Sequence, residues 1–212
     1  MLLVDAGCEY SCYASDVTRT YPVNGKYGHE DGIIYQIVLD SQEAVLRVMR
    51  PGVEWEDMHR LAAKVILDGL VRAGIVFGEY EELVKHHIVA IFFPHGLGHL
   101  IGLDVHDVGG YPPGVDRIQE PGIRYLRMRR TLKENMVVTV EPGLYFIDQL
   151  LDQALQDPNI SKFINPTVLA KFRHIGGVRI EDDVLITSDG IEILTAAIPK
   201  QIDEIEKIMS VY

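Results

Sequence analysis

The stretch Phe93-Pro94-His95-Gly96-Leu97-Gly98-His99 carries the strongest structural signal in this 212-residue sequence, and His106 follows seven residues after it. Acidic residues that lie beside glycine or in short apolar runs flank it on both sides: Asp5, Asp16, Glu141 and Glu181. Four carboxylates and one imidazole are a suitable ligand set for two divalent cations. Because metal-bound water is a hydrolytic nucleophile, this pattern indicates a hydrolase with a two-metal site.

Composition limits the class of protein. The chain is 47% hydrophobic, enough for one sizeable core, so residues 1–212 are expected to form a single domain, although two are allowed. A net charge of -11 argues against nucleic-acid binding. No apolar run approaches the roughly 18 residues of a membrane span, and Met1–Val4 lacks signal-peptide features, so we expect a cytoplasmic protein. Cys8 and Cys12 are predicted to be small buried side chains; pairing or metal ligation are the alternatives.

Residues 2–20 are rich in Val, Cys, Tyr and Thr, which predicts a β-hairpin. A hairpin folded about residues 10 and 11 would place Asp5 opposite Asp16, with Cβ atoms about 5 Å apart. Two buried carboxylates so close would repel each other unless a cation or a proton intervened. These residues taken alone favour the simpler interpretation of two surface aspartates in an ordinary hairpin.

The rest of the pattern predicts a mixed α+β fold. We expect helices over 31–49, 54–73, 79–87, 147–173 (exposed on the surface) and 200–209, and strands over 88–93, 136–146, 176–184 and 191–194. Glu141 lies in an apolar strand, where burial would be costly without a cation. Arg179 and Glu181 share one strand face by their spacing. Helices and strands do not alternate regularly, which is typical of the α+β class.

Residues 100–131 form a long glycine- and proline-rich connection, a type of loop that is usually functional. Four arginines lie near its end: Arg124, Arg127, Arg129 and Arg130. They either bind an anionic group or are solvated. We expect a specific task for one of them.

The ligand types favour hard or borderline cations such as Mn²⁺, Co²⁺ or Fe²⁺, because structural zinc prefers thiolates. Histidines beside such a cluster can donate hydrogen bonds to a substrate, and an acid can move a proton from water to a leaving amine. This chemistry is peptide or amide hydrolysis, which the spacing alone supports weakly.

Six motifs, in order, make the sequence similar to a known family. They are Val-Asp-Ala-Gly (4–7), Ala-Ser-Asp-Val-Thr-Arg-Thr (14–20), Phe-Pro-His-Gly-Leu-Gly-His (93–99), Leu-Asp-Val-His-Asp-Val-Gly-Gly-Tyr-Pro (103–112), Thr-Val-Glu-Pro-Gly-Leu-Tyr-Phe (139–146) and Gly-Gly-Val-Arg-Ile-Glu-Asp-Asp (176–183). The chain resembles the catalytic domain of the pita-bread metallopeptidases, which include methionine aminopeptidase, aminopeptidase P and prolidase. The eukaryotic-type prolidases are the nearest likeness.

The resemblance implies a pita-bread fold, with helices packed outside a curved antiparallel sheet, and two divalent metal ions. Mn²⁺ is the first expectation, with Co²⁺, Fe²⁺ or Zn²⁺ as alternatives. The implied metal ligands are Asp5, Asp16, His99, Glu141 and Glu181, of which Asp16 and Glu181 bridge the two ions. Glu141 is the implied proton shuttle.

The resemblance also implies substrate-side residues. His95 and His106 face the substrate, Arg127 holds the free carboxylate of a dipeptide, and Arg179 lies near the metals. The simpler alternatives are a satisfied loop histidine for His95, and for His106 a turn residue paired with Asp107.

The implied activity is hydrolysis of Xaa-Pro dipeptides by a metal-bridging water. Removal of an N-terminal residue before proline, as in aminopeptidase P, is the first alternative, and an inactive truncated or binding form is the second. Family members of this type carry an amino-terminal domain and further catalytic-domain residues before the first aspartate. We therefore expect a partial catalytic domain that acts on small peptides, with homodimerisation open.

Overall fold

The structure is a computed structural model that describes residues 1–210. The strands of this part are β1 Leu2–Ala6, β2 Glu9–Tyr10, β3 Tyr13–Ala14, β4 Val17–Tyr21, β5 Val137–Val140, β6 Gly143–Tyr145, β7 Gly177–Arg179, β8 Asp182–Ile186 and β9 Ile191–Ile193. Its α-helices are α1 His29–Leu46, α2 Trp55–Arg72, α3 Tyr80–Lys85, α4 Val89–Phe92, α5 Asp148–Gln156, α6 Pro158–Ser161, α7 Pro166–Phe172 and α8 Ile202–Met209. None of these helices is both long and apolar enough to cross a membrane.

The strands pair in an antiparallel manner: β1 with β4, β2 with β3, β5 with β8, β8 with β9, and β6 with β7. Single bridges connect these pairs, one between Thr18 and Glu181 and another between Leu100 and Val138. Through these pairs and bridges, strands β1, β4, β8 and β5 and the histidine stretch lie side by side in this order. The mixed class and the antiparallel sheet agree with the prediction.

Two long helices cover this sheet from outside. Buried Gln42 of α1 donates from Nε2 to the carbonyls of Val140 (3.0 Å) and Ile180 (3.3 Å), which fixes α1 behind the strands. Helix α2 packs closely on α1, because Gly69 leaves room for Ile37: a Cβ at position 69 would lie 2.6 Å from an Ile37 methyl carbon. The helices predicted over 31–49 and 54–73 are thus confirmed within a few residues.

The hairpin forms, but in another register than predicted. Asp5 pairs with Thr18, and β2 and β3 are joined at Ser11-Cys12, both at positive φ (52° and 70°). Such a two-residue turn usually contains Gly or Asn, so the sequence gives no marker for it. The register shift keeps Asp16 on the same face as Asp5. The burial predicted for Cys8 and Cys12 was wrong, since both thiols are exposed and unpaired.

The buried strand predicted over 88–93 was also wrong, because α4 occupies Val89–Phe92. A short apolar run fits a strand and a buried helix equally well. The helical segment predicted over 147–173 is confirmed as α5 to α7, yet it is not purely a surface feature, since Leu151, Leu169 and Phe172 are buried. In the connection 100–131 only a 3-10 turn at Ile123–Tyr125 interrupts the loop.

Candidate metal centre

The acids and the histidine predicted as ligands come together on one side of the sheet. Three overlapping groups form, and within each group one donor atom per residue lies within 4.8 Å of the others: Asp5, Asp16 and Glu181; Asp16, His99 and His106; His99, Glu141 and Glu181. Asp16, His99 and Glu181 each belong to two groups. One connected cluster of oxygen and nitrogen donors therefore contains all the predicted ligands.

Strand register explains how such distant residues meet. The pairings Val140–Asp182 and Gly143–Arg179 keep one register, which places Glu141 opposite Glu181 where both strands are interrupted. Across the next bridge Glu181 donates its backbone N–H to the Thr18 carbonyl (3.0 Å), and Thr18 in turn pairs with Asp5. Neighbours across antiparallel strands point to the same face. The acids therefore form one row.

The histidine stretch is the last member of this row. Thr139 donates its backbone N–H to the His99 carbonyl (2.9 Å), and Glu141 donates its own to the Leu97 carbonyl (2.8 Å). Gly98 is required between these two bonds, because a Cβ there would lie 2.0 Å from the Thr139 carbonyl oxygen. The His99 ring contacts the Leu100 carbonyl through Nδ1 (3.0 Å), which leaves Nε2 directed to Asp16 Oδ2 (3.5 Å) and Glu141 Oε1 (3.4 Å).

The electrostatics of the cluster fit divalent cations. Burial raises the pKa of Glu141 to about 7 and the pKa of Glu181 to about 9. Burial alone would lower the pKa of His99, but the neighbouring Asp16 and Glu141 carboxylates raise it. Crowded, desolvated carboxylates retain protons unless positive charge is near. The donor set therefore matches what a pair of hard cations requires.

A second set of contacts ties Arg179 to the cluster. Arg179 forms an ion pair with Asp5, donates from Nε to Thr18 Oγ1 (3.0 Å), and donates from Nη1 to the Tyr145 hydroxyl (3.1 Å). Tyr145 lies 2.8 Å from His95 Nε2. The guanidinium is therefore engaged by the protein itself on several sides, and it holds Asp5 and Tyr145 in place.

The two histidines with predicted substrate contacts differ in their surroundings. His95 contacts the Gly96 carbonyl through Nδ1 (2.7 Å) and the Tyr145 hydroxyl through Nε2, and burial lowers its pKa to about 4. Both nitrogens of this neutral ring thus have partners. His106 is exposed, and its ring packs edge to face on His99 with centroids 4.4 Å apart.

A cavity of about 770 Å³ opens over the cluster. Its lining includes the predicted residues Asp5, His95, His106, Arg127, Glu141 and Arg179, together with Arg117, Gln119, Arg124 and Tyr125 from the loop. This volume lies within the range of small-ligand sites, about 300–1,000 Å³.

The loop arginines have more than the single task expected. Arg129 donates to the Asp116 carbonyl (2.8 Å), and Arg130 donates to the Gly109 carbonyl (2.6 Å). Arg117, which the sequence argument overlooked, donates to the Leu126 carbonyl (2.6 Å). These three arginines hold the loop backbone. Arg117 also lines the cavity, together with Arg124 and Arg127.

The sequence argument also overlooked two residues that position the predicted ligands and the substrate-side histidine, Tyr145 and Asp183. Tyr145 lies on the face of Glu141 by its spacing of four along an interrupted strand, a signal that was available. Asp183 accepts the Asp16 backbone N–H at Oδ2 (3.1 Å) and thereby positions a predicted ligand. Its place directly before the apolar run Val184-Leu185-Ile186 was the available sign.

Antiparallel strands that present this acidic row, with helices outside, define a metallopeptidase-like centre. The profile described as metallopeptidase family M24 matches residues 1–188, and the chain belongs to this family. It is 53% identical over 210 residues to the Xaa-Pro dipeptidase of Homo sapiens, covering 99% of this chain and 42% of that protein. It is 48% identical over 209 residues to a probable Xaa-Pro aminopeptidase of Botryotinia fuckeliana, with coverages of 99% and 45%.

Solved structures of aminopeptidases have the same fold as this chain. Aminopeptidase PepP of Pseudomonas aeruginosa superposes with a TM-score of 0.78 at 40% identity, covering 99% of this chain and 41% of that one. Zinc-substituted Escherichia coli aminopeptidase P in complex with product gives a TM-score of 0.79 at 41% identity, with the same coverages. The fold is therefore the pita-bread fold. The chain spans less than half the length of these relatives.

Proposed function

We propose that the chain is a dinuclear metal-dependent peptidase domain that hydrolyses Xaa-Pro dipeptides. The observation that carries this proposal is the convergence of the four acids and His99 in one row beside a cavity of about 770 Å³. The identity of 53% to a Xaa-Pro dipeptidase supports the choice of substrate class.

In this proposal Asp5, Asp16 and Glu181 hold one cation, and His99, Glu141 and Glu181 with Asp16 hold the other. Asp16 and Glu181 suit a bridging role, because each carboxylate belongs both to the group that contains Asp5 and to a group that contains His99, and each has two oxygens to share. When bound, two such ions would activate a water and polarise the peptide carbonyl. We propose Mn²⁺ first, with Co²⁺, Fe²⁺ or Zn²⁺ as alternatives.

Glu141 is suited to proton transfer. Its Oε1 accepts a hydrogen bond from Thr139 Oγ1 (3.2 Å), and the residue lines the cavity. A carboxylate held there can take a proton from the attacking water and give it to the leaving proline nitrogen.

The two histidines divide the substrate contacts. Exposed His106 can meet a peptide carbonyl as the ring stands. The neutral His95 ring donates from Nδ1 to the Gly96 carbonyl, so its Nε2 accepts a hydrogen bond from the Tyr145 hydroxyl and cannot bind a peptide carbonyl. We therefore assign His106 the direct contact and His95 the positioning of Tyr145.

Arg127 is the proposed clamp for the free carboxylate of the dipeptide. It lines the cavity on the loop that Arg117 anchors, with Arg124 beside it. Arginine binds carboxylates through a fork of two N–H groups, which suits a terminal carboxylate. A peptide that continues beyond proline would lack this group, so Arg127 would favour dipeptides.

An aminopeptidase P-like activity is the second candidate. Two observations favour it: the solved structures reported above are aminopeptidases of this type, and the cavity has room for more than a dipeptide. A cytoplasmic location, a homodimer and a single partial domain stay predictions.

The test combines metal analysis with two substrates. After reconstitution with Mn²⁺, elemental analysis should find two equivalents, and the sample should hydrolyse Gly-Pro faster than Arg-Pro-Pro. The reverse preference would support the aminopeptidase. A folded, metal-loaded sample that cleaves neither peptide would refute both, and failure to bind metal would support a non-catalytic binding form.

Matched variants assign the roles. Glu141→Gln should lower kcat by about 10²-fold or more, while Glu192→Gln, an exposed acid on β9, should leave it unchanged. Arg127→Met should raise KM for Gly-Pro and leave KM for Arg-Pro-Pro unchanged. If Arg124→Met has the larger effect on Gly-Pro, the clamp is assigned to the wrong arginine.

A further inference from the structure

Thr139 is a buried residue of β5 whose hydroxyl contacts two of the proposed metal ligands. The side chain is fully buried, and its Oγ1 accepts the His99 backbone N–H at 3.1 Å. The same oxygen donates to Glu141 Oε1 at 3.2 Å. Residues 139 and 141 are two positions apart along an extended chain, so their side chains lie on the same face. One hydroxyl therefore connects His99 and Glu141, which come from different segments of the chain.

The direction of these hydrogen bonds follows from the chemistry of a hydroxyl group. A backbone N–H can only donate, so Thr139 Oγ1 is the acceptor in the bond from His99. A hydroxyl carries a single hydrogen, and here that hydrogen is directed to Glu141 Oε1. Glu141 Oε1 is therefore an acceptor, and a proton on this oxygen would displace the hydroxyl hydrogen.

The two carboxylate oxygens of Glu141 differ in their surroundings. Oε1 lies 3.4 Å from His99 Nε2, within the donor cluster. Oε2 has no hydrogen-bond partner in the described part of the chain, yet it is not enclosed. The Glu141 side chain is 17% exposed and lines the cavity of about 770 Å³. One oxygen is thus held beside His99, while the other is left for groups that enter the cavity.

The neighbouring ligand Glu181 is held in the same manner. Thr18 is also fully buried, and its Oγ1 accepts from Arg179 Nε at 3.0 Å and donates to Glu181 Oε2 at 2.5 Å. Hydrogen-bond partners of ligating carboxylates fix their orientation and tune their metal affinity. The same arrangement at two glutamates indicates that the threonine hydroxyls set the orientation of these ligands.

We propose that Thr139 is a positioning residue that assigns different tasks to the two oxygens of Glu141. Its hydroxyl keeps Oε1 in the donor cluster beside His99, and the proton that Glu141 transfers is carried on Oε2. This assignment rests on the proposed function, in which Glu141 is both a metal ligand and the proton carrier.

Three variants separate this role from simple packing. Thr139→Val keeps the shape of the side chain but removes the hydroxyl, whereas Thr139→Ser keeps the hydroxyl. The matched control is Thr20→Val, because buried Thr20 accepts the Arg179 backbone N–H (3.2 Å) and donates to the Arg179 carbonyl (3.0 Å). Each valine variant leaves one backbone N–H unpaired, so both should lower Tm by a similar amount, roughly 2–12 °C.

Calorimetric titration with Mn²⁺ and kinetics on Gly-Pro then distinguish the variants. In Thr139→Val one of the two Mn²⁺ equivalents should bind about 10- to 100-fold more weakly. The kcat on Gly-Pro should fall about 10- to 100-fold while KM changes little, because the two oxygens of Glu141 are no longer distinguished. Thr139→Ser should restore both properties, and Thr20→Val should change neither. Thr139→Ala, a second variant without the hydroxyl, gives the same test if the valine variant does not fold.

Three results would overturn the proposal: wild-type Mn²⁺ affinity at both sites in folded Thr139→Val, a serine variant that behaves like the valine variant, or an equal loss of Mn²⁺ affinity in Thr20→Val. The titration needs no substrate. A wild-type chain that binds two Mn²⁺ and leaves Gly-Pro intact would therefore refute the peptidase function and the task of Oε2, while the metal affinities still decide the position of Oε1. A wild-type chain that binds no Mn²⁺ would overturn both proposals.

Discussion

Replacement of Arg19 by Met should destabilise the protein strongly, because its buried guanidinium connects β4 to the backbone of Glu181 and to residues 198–199. Arg19 is 2% exposed. It donates hydrogen bonds to Thr18 O (2.9 Å), Glu181 O (2.6 Å), Ile198 O (2.8 Å), Pro199 O (3.0 Å) and Asp182 Oδ1 (2.7 Å). Methionine would fill much of the volume but donate none of these bonds.

The loss of stability in Arg19→Met depends on which of its partners keep another hydrogen-bond or ion-pair partner. Lys200 would still contact Asp182 Oδ2 at 2.7 Å, so the carboxylate would keep one cation. The carbonyls would each lose a donor, at about 1 kcal/mol apiece. Removal of one partner from a buried ion pair typically costs about 3–5 kcal/mol, and the same range is expected here. For a chain of this size that loss corresponds to a fall in Tm of roughly 6–20 °C.

Urea and thermal unfolding of the metal-free protein measure this effect. Arg72→Met, at an exposed position near the end of α2, is the matched control and should change stability by less than about 0.5 kcal/mol. Arg19→Lys should be intermediate, because it keeps the charge without the fork. Equal stability of the Arg19 and Arg72 methionine variants would refute the reasoning. Manganese titration should also show weaker binding in Arg19→Met, because the Glu181 backbone loses an anchor.

Three other predictions concern the pH dependence of stability, the packing at Gly98 and the hydroxyl of Tyr145. Burial lowers the pKa of His59 from 6.5 to about 3, so the stability that the neutral ring contributes is complete above pH 6.5 and is lost as the pH falls towards 3. His59→Phe should therefore flatten the dependence of the unfolding free energy on pH in this window, by up to about 1.4 kcal/mol per pH unit in urea melts. An unchanged slope would contradict the assignment. Gly98→Ala should lower the free energy of unfolding by about 3 kcal/mol, because its Cβ would lie 2.0 Å from a carbonyl oxygen. The control Gly32→Ala in α1 should be neutral or stabilising. Similar melting temperatures for the two variants would contradict this prediction. Tyr145→Phe should lower kcat on Gly-Pro about 10- to 100-fold. It should also lower Tm by roughly 2–8 °C, because loss of the hydroxyl leaves Arg179 Nη1 and His95 Nε2 without this partner at a cost of about 1–2 kcal/mol. A normal kcat would exclude a role for this hydroxyl.

The sequence predicted the candidate site better than the path of the chain. The acids stood out because Glu141 lies in an apolar strand, where an unpaired charge is costly, and this reasoning needs no knowledge of register. The register of the first hairpin depends on a turn at Ser11-Cys12 without glycine, so position 5 was paired with the wrong residue. The error did not separate the acids, since a shift of two positions keeps Asp16 on the same face.

Tertiary partners were less predictable. The short apolar run that forms α4 has no period long enough to distinguish a helix from a strand. The contacts of Arg117 and Tyr145 depend on a loop whose course no local pattern sets. Side chains that act through other side chains leave little trace in sequence spacing.

The wall and the floor of the large cavity are held in different ways. The wall is the loop over 100–131, and the floor is the pair of strands that carries Glu141 and Glu181. Arg117, Arg129 and Arg130 satisfy backbone carbonyls that a strand partner would otherwise satisfy. The floor, by contrast, lies on strands whose register is fixed by backbone pairing. Exchange of a single loop arginine should therefore change the shape of the cavity wall while the row of acids and His99 keeps its place on the sheet.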